Sequence, residues 1–320
     1  SVIDPEEGAV RLVIAVAIAA LLVCSLAMPH AFEETGLLFA GAFAVVRIAH
    51  IALFWISSRD EPALRSSVTG LAVSTFIGAC LLTGAFFAEG WLQAGLWVLA
   101  LAIDAGGPYF FGLEGWKVSP KHFAERHGLI IIIALGESIV AIGIGVEDVE
   151  LTATVVAAAV LGVILSFGLW WLYFDVVARV AERRLVNAEV GLEQNAIARD
   201  SFSYLHFPMM AGIVLIALGL KKTVGHVDEP LKLVPATALL GGFALYLFAH
   251  LAFRYRNVKR FSSQRLVAAL LALALIPVAE QVSAITTLAM LVVIAAALIA
   301  YETIHFRELR DKMRHELAHH

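Results

Sequence analysis

Residues 125–145 read ERHGLIIIIALGESIVAIGIG, and this stretch decides the fold. A charged triplet, Glu125, Arg126 and His127, opens it. An apolar run follows, is interrupted by Glu137, and then resumes. Read as a membrane-crossing helix from Gly128, it places Glu137 about 13 Å along the axis at roughly 1.5 Å per residue. That is near the centre of a hydrocarbon layer about 30 Å thick. A charge at that depth costs roughly 2.5–3.5 kcal/mol on insertion scales, so a partner is expected for it.

The rest of the chain agrees. Of its 320 residues, 60% are hydrophobic and only 16% charged, with a mean hydropathy of +0.85. Soluble domains carry markedly more charge. Apolar runs recur throughout and predict an all-α, polytopic helical membrane protein. Ten spans are expected, at about 9–28, 37–56, 67–88, 91–113, 128–146, 152–178, 202–220, 235–253, 265–282 and 284–304. They form one bundle over residues 1–304, followed by a charged tail over 305–320. Pro208 and Pro277 fall inside spans and are expected to bend them. The net charge is −4 and the basic residues form no nucleic-acid patch. Cys24 and Cys80 lie in apolar segments and are expected to pack as inert thiols. The N-terminus lacks the basic region of a cleavable signal peptide. No cofactor or metal motif is present. His30, Glu33 and Glu34 match no strong ligand spacing and are expected to form a solvated acidic mouth.

Basic residues are distributed unevenly between alternate loops. Arg59, Lys117, Arg183, Arg260 and their neighbours share one side with both termini, whereas Lys221, Lys222 and Lys232 are on the other. The positive-inside rule makes the first side cytoplasmic. The run Trp170, Trp171, Tyr173, Phe174 then ends span six at the inner interface as an aromatic belt.

Residues 41–52, GAFAVVRIAHIA, align with 241–252, GGFALYLFAHLA, and Arg65 aligns with Arg265 downstream. Two readings stand: a parallel six-helix repeat with halves at about 1–113 and 128–304, or chance likeness between two Ala/Phe-rich helices. Under the first, a full copy needs twelve spans, and the two absent ones precede residue 1.

Several stretches resemble the bacterial low temperature requirement protein A (LtrA) family. They are residues 125–143, LWWLYFD at 169–175, RDSFSYLHFPMMAGIVLIALGLKK at 199–222 and MPHAFEETGLLFAGAFAVVR at 28–47. The resemblance implies a multi-pass membrane protein and no settled activity. Family members open with a helix bearing an ELFFDLVFVFA-like motif and a second helix. Neither occurs here, so the chain resembles a member that begins after them.

Ionisable groups within spans mark candidate function. Arg47 lies about 15 Å from the outer face on the same rise per residue, which matches Glu137 in depth and predicts an Arg47–Glu137 pair. His50 is one turn from Arg47, Asp104 lies at similar depth, and His250 is the repeat mate of His50. His206 and Asp175 lie nearer the inner interface, and Glu280 nearer the outer face. Such carboxylates and imidazoles compose proton paths in pumps, but each also suits a helix-to-helix bond. Three readings therefore stand: a transporter-like protein for an unknown ion or small molecule, a lipid-binding or lipid-modifying protein, and a structural protein. The lipid bilayer is the expected partner, and a homo-oligomer is compatible with the sequence. The glycines of GESIVAIGIG, with Ala134, Ser138 and Ala141, are expected to form a small-residue packing face.

Overall fold

In the computed structural model the described residues are 8–147, 149–305 and 307. They are 83% helical without a strand, as an all-α membrane protein requires. The helices are α1 (Gly8–Ala27), α2 (Gly36–Ser57), α3 (Pro62–Phe86), α4 (Gly90–Phe110), α5 (Pro120–Gly145), α6 (Ala153–Phe174) and α7 (Val177–Val186). They continue as α8 (Leu192–Ile197), α9 (Leu205–Gly225), α10 (Leu233–Ala236), α11 (Gly242–Val258), α12 (Ser263–Ala274), α13 (Ile276–Ala279) and α14 (Ala284–His305). Among the described residues, eight segments are long and apolar enough to cross a membrane. Two of the ten expected spans fall short of that measure: α4, which is 21 residues long, and the α12–α13 pair. The charged tail lies almost wholly outside the described residues.

Local chemistry sets the boundaries. Pro62 sits at the first turn of α3, where its missing N–H costs nothing. Thr152 caps α6, its Oγ1 accepting from Val155 N at 3.3 Å. The aromatic run expected at an interface closes α6 at Phe174. α12 stops at Ala274, and Pro277 lies in the first turn of the short α13 that follows. Pro208 lacks the N–H that would bond Tyr204, and the turn before it widens to a π-helix over Ala198–Tyr204. A second π segment, Thr237–Gly241, follows Pro235. The triplet Glu125, Arg126 and His127, expected before a span, is already inside α5, because Pro120 starts that helix two turns earlier.

The chain divides into two compact units. The first holds residues 1–119 and 189–196, the second residues 120–188 and 197–320. In the first, α1 packs on α2, α2 on α3 and α3 on α4. Its core gathers Cys24, Ala27, Phe39, Leu82, Trp97 and Ala100. Cys80, expected to pack, is exposed on α3. Asn195 ties the returning segment down by donating from Nδ2 to Leu113 O (2.8 Å) and Trp116 O (3.0 Å).

In the second unit α9 is central and packs against α5 and α11, while α14 packs against α6 and α12. The face of α5 that is buried carries Ala134, Ser138 and Ala141. Gly145 continues it, where a Cβ would stand 2.7 Å from Lys221 O. Gly136 and Gly143 lie off that face with open space around them. The small-residue reading is therefore correct for the alanines and Ser138 but not for those two glycines. Between α9 and α11 the backbones touch: a Cβ on Gly212 would meet Gly242 O at 2.7 Å. An offset of about 200 residues carries α1 to α9, α2 to α10–α11, α3 to α12–α13 and α4 to α14.

Candidate functional site

Three helices of the first unit meet at Arg47. Its Nη2 donates to Asp104 Oδ1 on α4 (2.5 Å) and to Thr75 Oγ1 on α3 (2.8 Å). The Thr75 hydroxyl donates onward to Asp104 Oδ1 at 3.1 Å. The carboxylate partner of Arg47 is thus Asp104 rather than Glu137. Matching depth did not identify neighbours, whereas the short loops joining α2, α3 and α4 favour packing of consecutive helices. Glu137 is exposed on α5, flanked by the exposed Ile133 and Val140. His50 is also exposed, its Nδ1 donating to Val46 O at 2.7 Å. Glu280 is exposed just beyond α13. His30 Nδ1 stands 3.3 Å from Glu33 Oε2, both exposed.

The other three candidates, His206, His250 and Asp175, converge in the second unit. Arg265 organises the region from the first turns of α12. Its side chain is 4% exposed. It binds Glu302 of α14 through both arms of a fork, Nε to Oε1 at 2.7 Å and Nη2 to Oε2 at 2.8 Å. Nη2 also donates to Leu172 O at 3.1 Å, and Nη1 to His250 Nδ1 at 2.5 Å. Because a guanidinium can only donate, His250 accepts at Nδ1, and its ring proton is on Nε2. Among the described residues, that Nε2 has no hydrogen-bond partner.

A parallel chain of bonds runs through α9. His206 Nδ1 donates to Ser201 O at 3.0 Å, so its Nε2 accepts from the Tyr173 hydroxyl at 2.7 Å. The Tyr173 ring stands edge-on to both His206 (5.6 Å between centroids) and His250 (5.9 Å). Tyr246 packs on His250 at 4.4 Å and donates its hydroxyl to Leu169 O at 2.8 Å. His127 lies against His206 at 5.1 Å. The π segment supplies Asp200, which accepts from Arg199 (2.7 Å) and Arg256 (2.9 Å). Its wider turn aligns Ser201 with Asn257, whose Oδ1 accepts from Ser201 Oγ at 3.2 Å.

Beside this network is a pocket of about 320 Å³. Trp171, Leu172, Val176, Val180 and Phe253 make its apolar wall. Asp175, Asn257, Arg254, Arg260, Arg265 and Glu302 supply its polar groups. Its lining thus carries three arginines and two carboxylates, with Arg265 already forked to Glu302. Replacing Tyr173 with phenylalanine would leave His206 Nε2 without its donor inside the protein. A loss of about 1–3 kcal/mol is expected, measurable by unfolding of the purified protein in detergent.

The sequence marks Arg265 only as the repeat mate of Arg65 and gives Glu302 no role. Arg265 follows the start of α12 by two residues, where an arginine reads as an ordinary charge at a loop edge. Glu302 lies in an otherwise apolar span, the same signal that drew attention to Glu137.

Fold and network together define a multi-pass helical membrane protein with a buried ionic cluster in one unit. A model of the bacterial low temperature requirement A protein (LtrA) family matches residues 1–300, and the chain belongs to that family. It is 30% identical over 260 residues to the uncharacterized protein RA0937 of Rhizobium meliloti (strain 1021). That likeness covers 77% of this chain and 62% of the relative, so the chain spans less than two thirds of the relative's length. No solved structure matches.

Proposed function

We propose that this LtrA-family protein is transporter-like, that the pocket beside Arg265 receives a small anionic solute, and that protonation of His250 is coupled to release of Arg265. The observation that carries this reading is the bond from Arg265 Nη1 to His250 Nδ1, at the wall of the pocket. A proton arriving at Nδ1 takes the lone pair that the guanidinium uses. Both groups are then cations, and the bond must break. Arg265 keeps Glu302, while Nη1 becomes available to a ligand in the pocket. Among the described residues, His206, Tyr173 and Tyr246 also face His250; Tyr173 is bonded to His206, and the Tyr246 hydroxyl is bonded to Leu169 O. A carboxylate or phosphate is the chemistry that a guanidinium recognises best. The basic loops on this side favour approach of such a solute from the cytoplasm.

The Arg47–Thr75–Asp104 cluster takes a structural role in this reading. Arg47 Nη2, Thr75 Oγ1 and Asp104 Oδ1 bond to one another across three helices, while Arg47 Nε has no hydrogen-bond partner among the described residues. The coincidence of helix positions at an offset of about 200 supports the duplication reading. The two ionic clusters have nonetheless diverged. Arg65, at the position matching Arg265, lies 4.5 Å over the Trp55 ring instead.

The test is His250→Gln. Glutamine keeps an acceptor for Arg265 and cannot be protonated. Proteoliposomes carrying a pH-sensitive dye would be given an acid pulse with external inorganic phosphate, acetate or lactate. Wild-type protein is expected to move protons with at least one of these solutes, and His250→Gln to lose about tenfold in rate or more, a barrier increase of about 1.4 kcal/mol. Proton movement at the wild-type rate in the variant would refute the coupling.

A further inference from the structure

A second groove in the same unit, of about 640 Å³, is bounded by the first half of α5, the aromatic end of α6 and α7. Its character changes along α5. Lys121 and Glu125 stand near the helix start, while Leu129 and Ile132, further along, are exposed and apolar. The eleven residue steps from Lys121 to Ile132 span about 16 Å. Gly128 keeps the floor low between them, since a Cβ there would stand 3.3 Å from Phe174 Cε1.

α7 closes the polar end. It buries Ala181 and Leu185 and leaves Arg179 exposed, with Glu182 half-buried, while packing against α5, α6 and α11. Arg179 and Glu182 both line the groove, as does Asp175. Trp170, beside them, belongs to the aromatic run that ends α6. The groove therefore has one end with fixed charges of both signs, an aromatic collar, and an apolar continuation running along a membrane-crossing helix.

We infer that this groove is a binding site for a phospholipid whose head group carries a primary ammonium, as an ethanolamine phospholipid does. Lys121 and Arg179 receive the phosphate. Glu182 and Asp175 accept hydrogen bonds from the ammonium, which has three N–H donors. An acyl chain follows Leu129 and Ile132. A choline head group has no N–H to give these carboxylates. A glycerol head group has no positive charge to set beside them. The groove shares Trp171 and Asp175 with the solute pocket, whereas Lys121, Arg179 and Glu182 line the groove and not that pocket.

The test uses the purified full chain in detergent, equilibrated with equal amounts of ethanolamine, choline and glycerol phospholipids of the same acyl chains. Retained lipid is counted by native mass spectrometry. The ethanolamine lipid is expected to exceed each of the others about tenfold, the scale of one charge-assisted hydrogen bond. Lys121→Glu/Arg179→Glu and, separately, the milder Glu182→Gln are each expected to abolish that preference with an unchanged elution profile. Soluble phosphoethanolamine at the same concentration is expected not to displace the lipid, because it lacks the chain that fills the apolar end. Equal retention of the three lipids, a preference surviving both variants, or displacement by phosphoethanolamine would each overturn the assignment.

Discussion

Arg265→Leu is expected to destabilise the second unit by about 3–5 kcal/mol, the range found when one partner of a buried ion pair is removed. Arg265 is 4% exposed and Glu302 14%, so the orphaned carboxylate has little access to solvent. The substitution also strips His250 Nδ1 and Leu172 O of their donor. The second change Glu302→Leu should recover part of the loss, because no unpaired charge remains. Denaturant unfolding of Arg265→Leu, Glu302→Leu and the double variant measures the coupling. Additive losses would mean that the fork contributes little, despite its geometry.

Gly212→Leu is expected to cost about 3 kcal/mol or more, at the upper end of overpacking penalties. Its Cβ would stand 2.7 Å from Gly242 O and 2.8 Å from Tyr246 N, and these are backbone atoms that have no rotamer to yield. The helices α9 and α11 must separate, as close small-residue contacts in membranes do not tolerate bulk. That movement carries Tyr246 away from Leu169 O and disturbs His250 one turn further along α11. Gly136→Ala on α5 is the control. Nothing lies within 4 Å of a Cβ there, and a change within about 0.5 kcal/mol is expected. The same unfolding measurement on both variants checks the contrast.

The sequence made the helices legible because their signal is local. Hydropathy over about 20 residues located the spans, and the prolines marked where Ala198–Tyr204 widens and where α12 stops. Arg47 stood out for the same reason, as a charge in an apolar run. Its partner did not, because depth along the membrane is one coordinate and a salt bridge needs three. Asp104 and Glu137 are both compatible with Arg47 in depth, and only the packing of α4 beside α2 and α3 selects Asp104. Arg265 was obscured by its position near a helix start, where arginine is ordinary. Burial made it distinctive, through residues brought from α6, α11 and α14 that share no sequence pattern with it.

The central claim is that solute passes through the pocket beside Arg265. It is tested most directly by filling that pocket. Val180 lines it from α7 and is half-buried. In a Cys24→Ala/Cys80→Ala background, Val180→Cys would be labelled in oriented proteoliposomes with a bulky membrane-impermeant maleimide. Proton-coupled solute movement would be recorded before and after labelling. Complete labelling from the side of the basic loops is expected to suppress movement about tenfold or more, an added barrier of about 1.4 kcal/mol, while the unlabelled variant runs at the parent rate. Fully labelled protein that still moves solute at the parent rate would contradict the account.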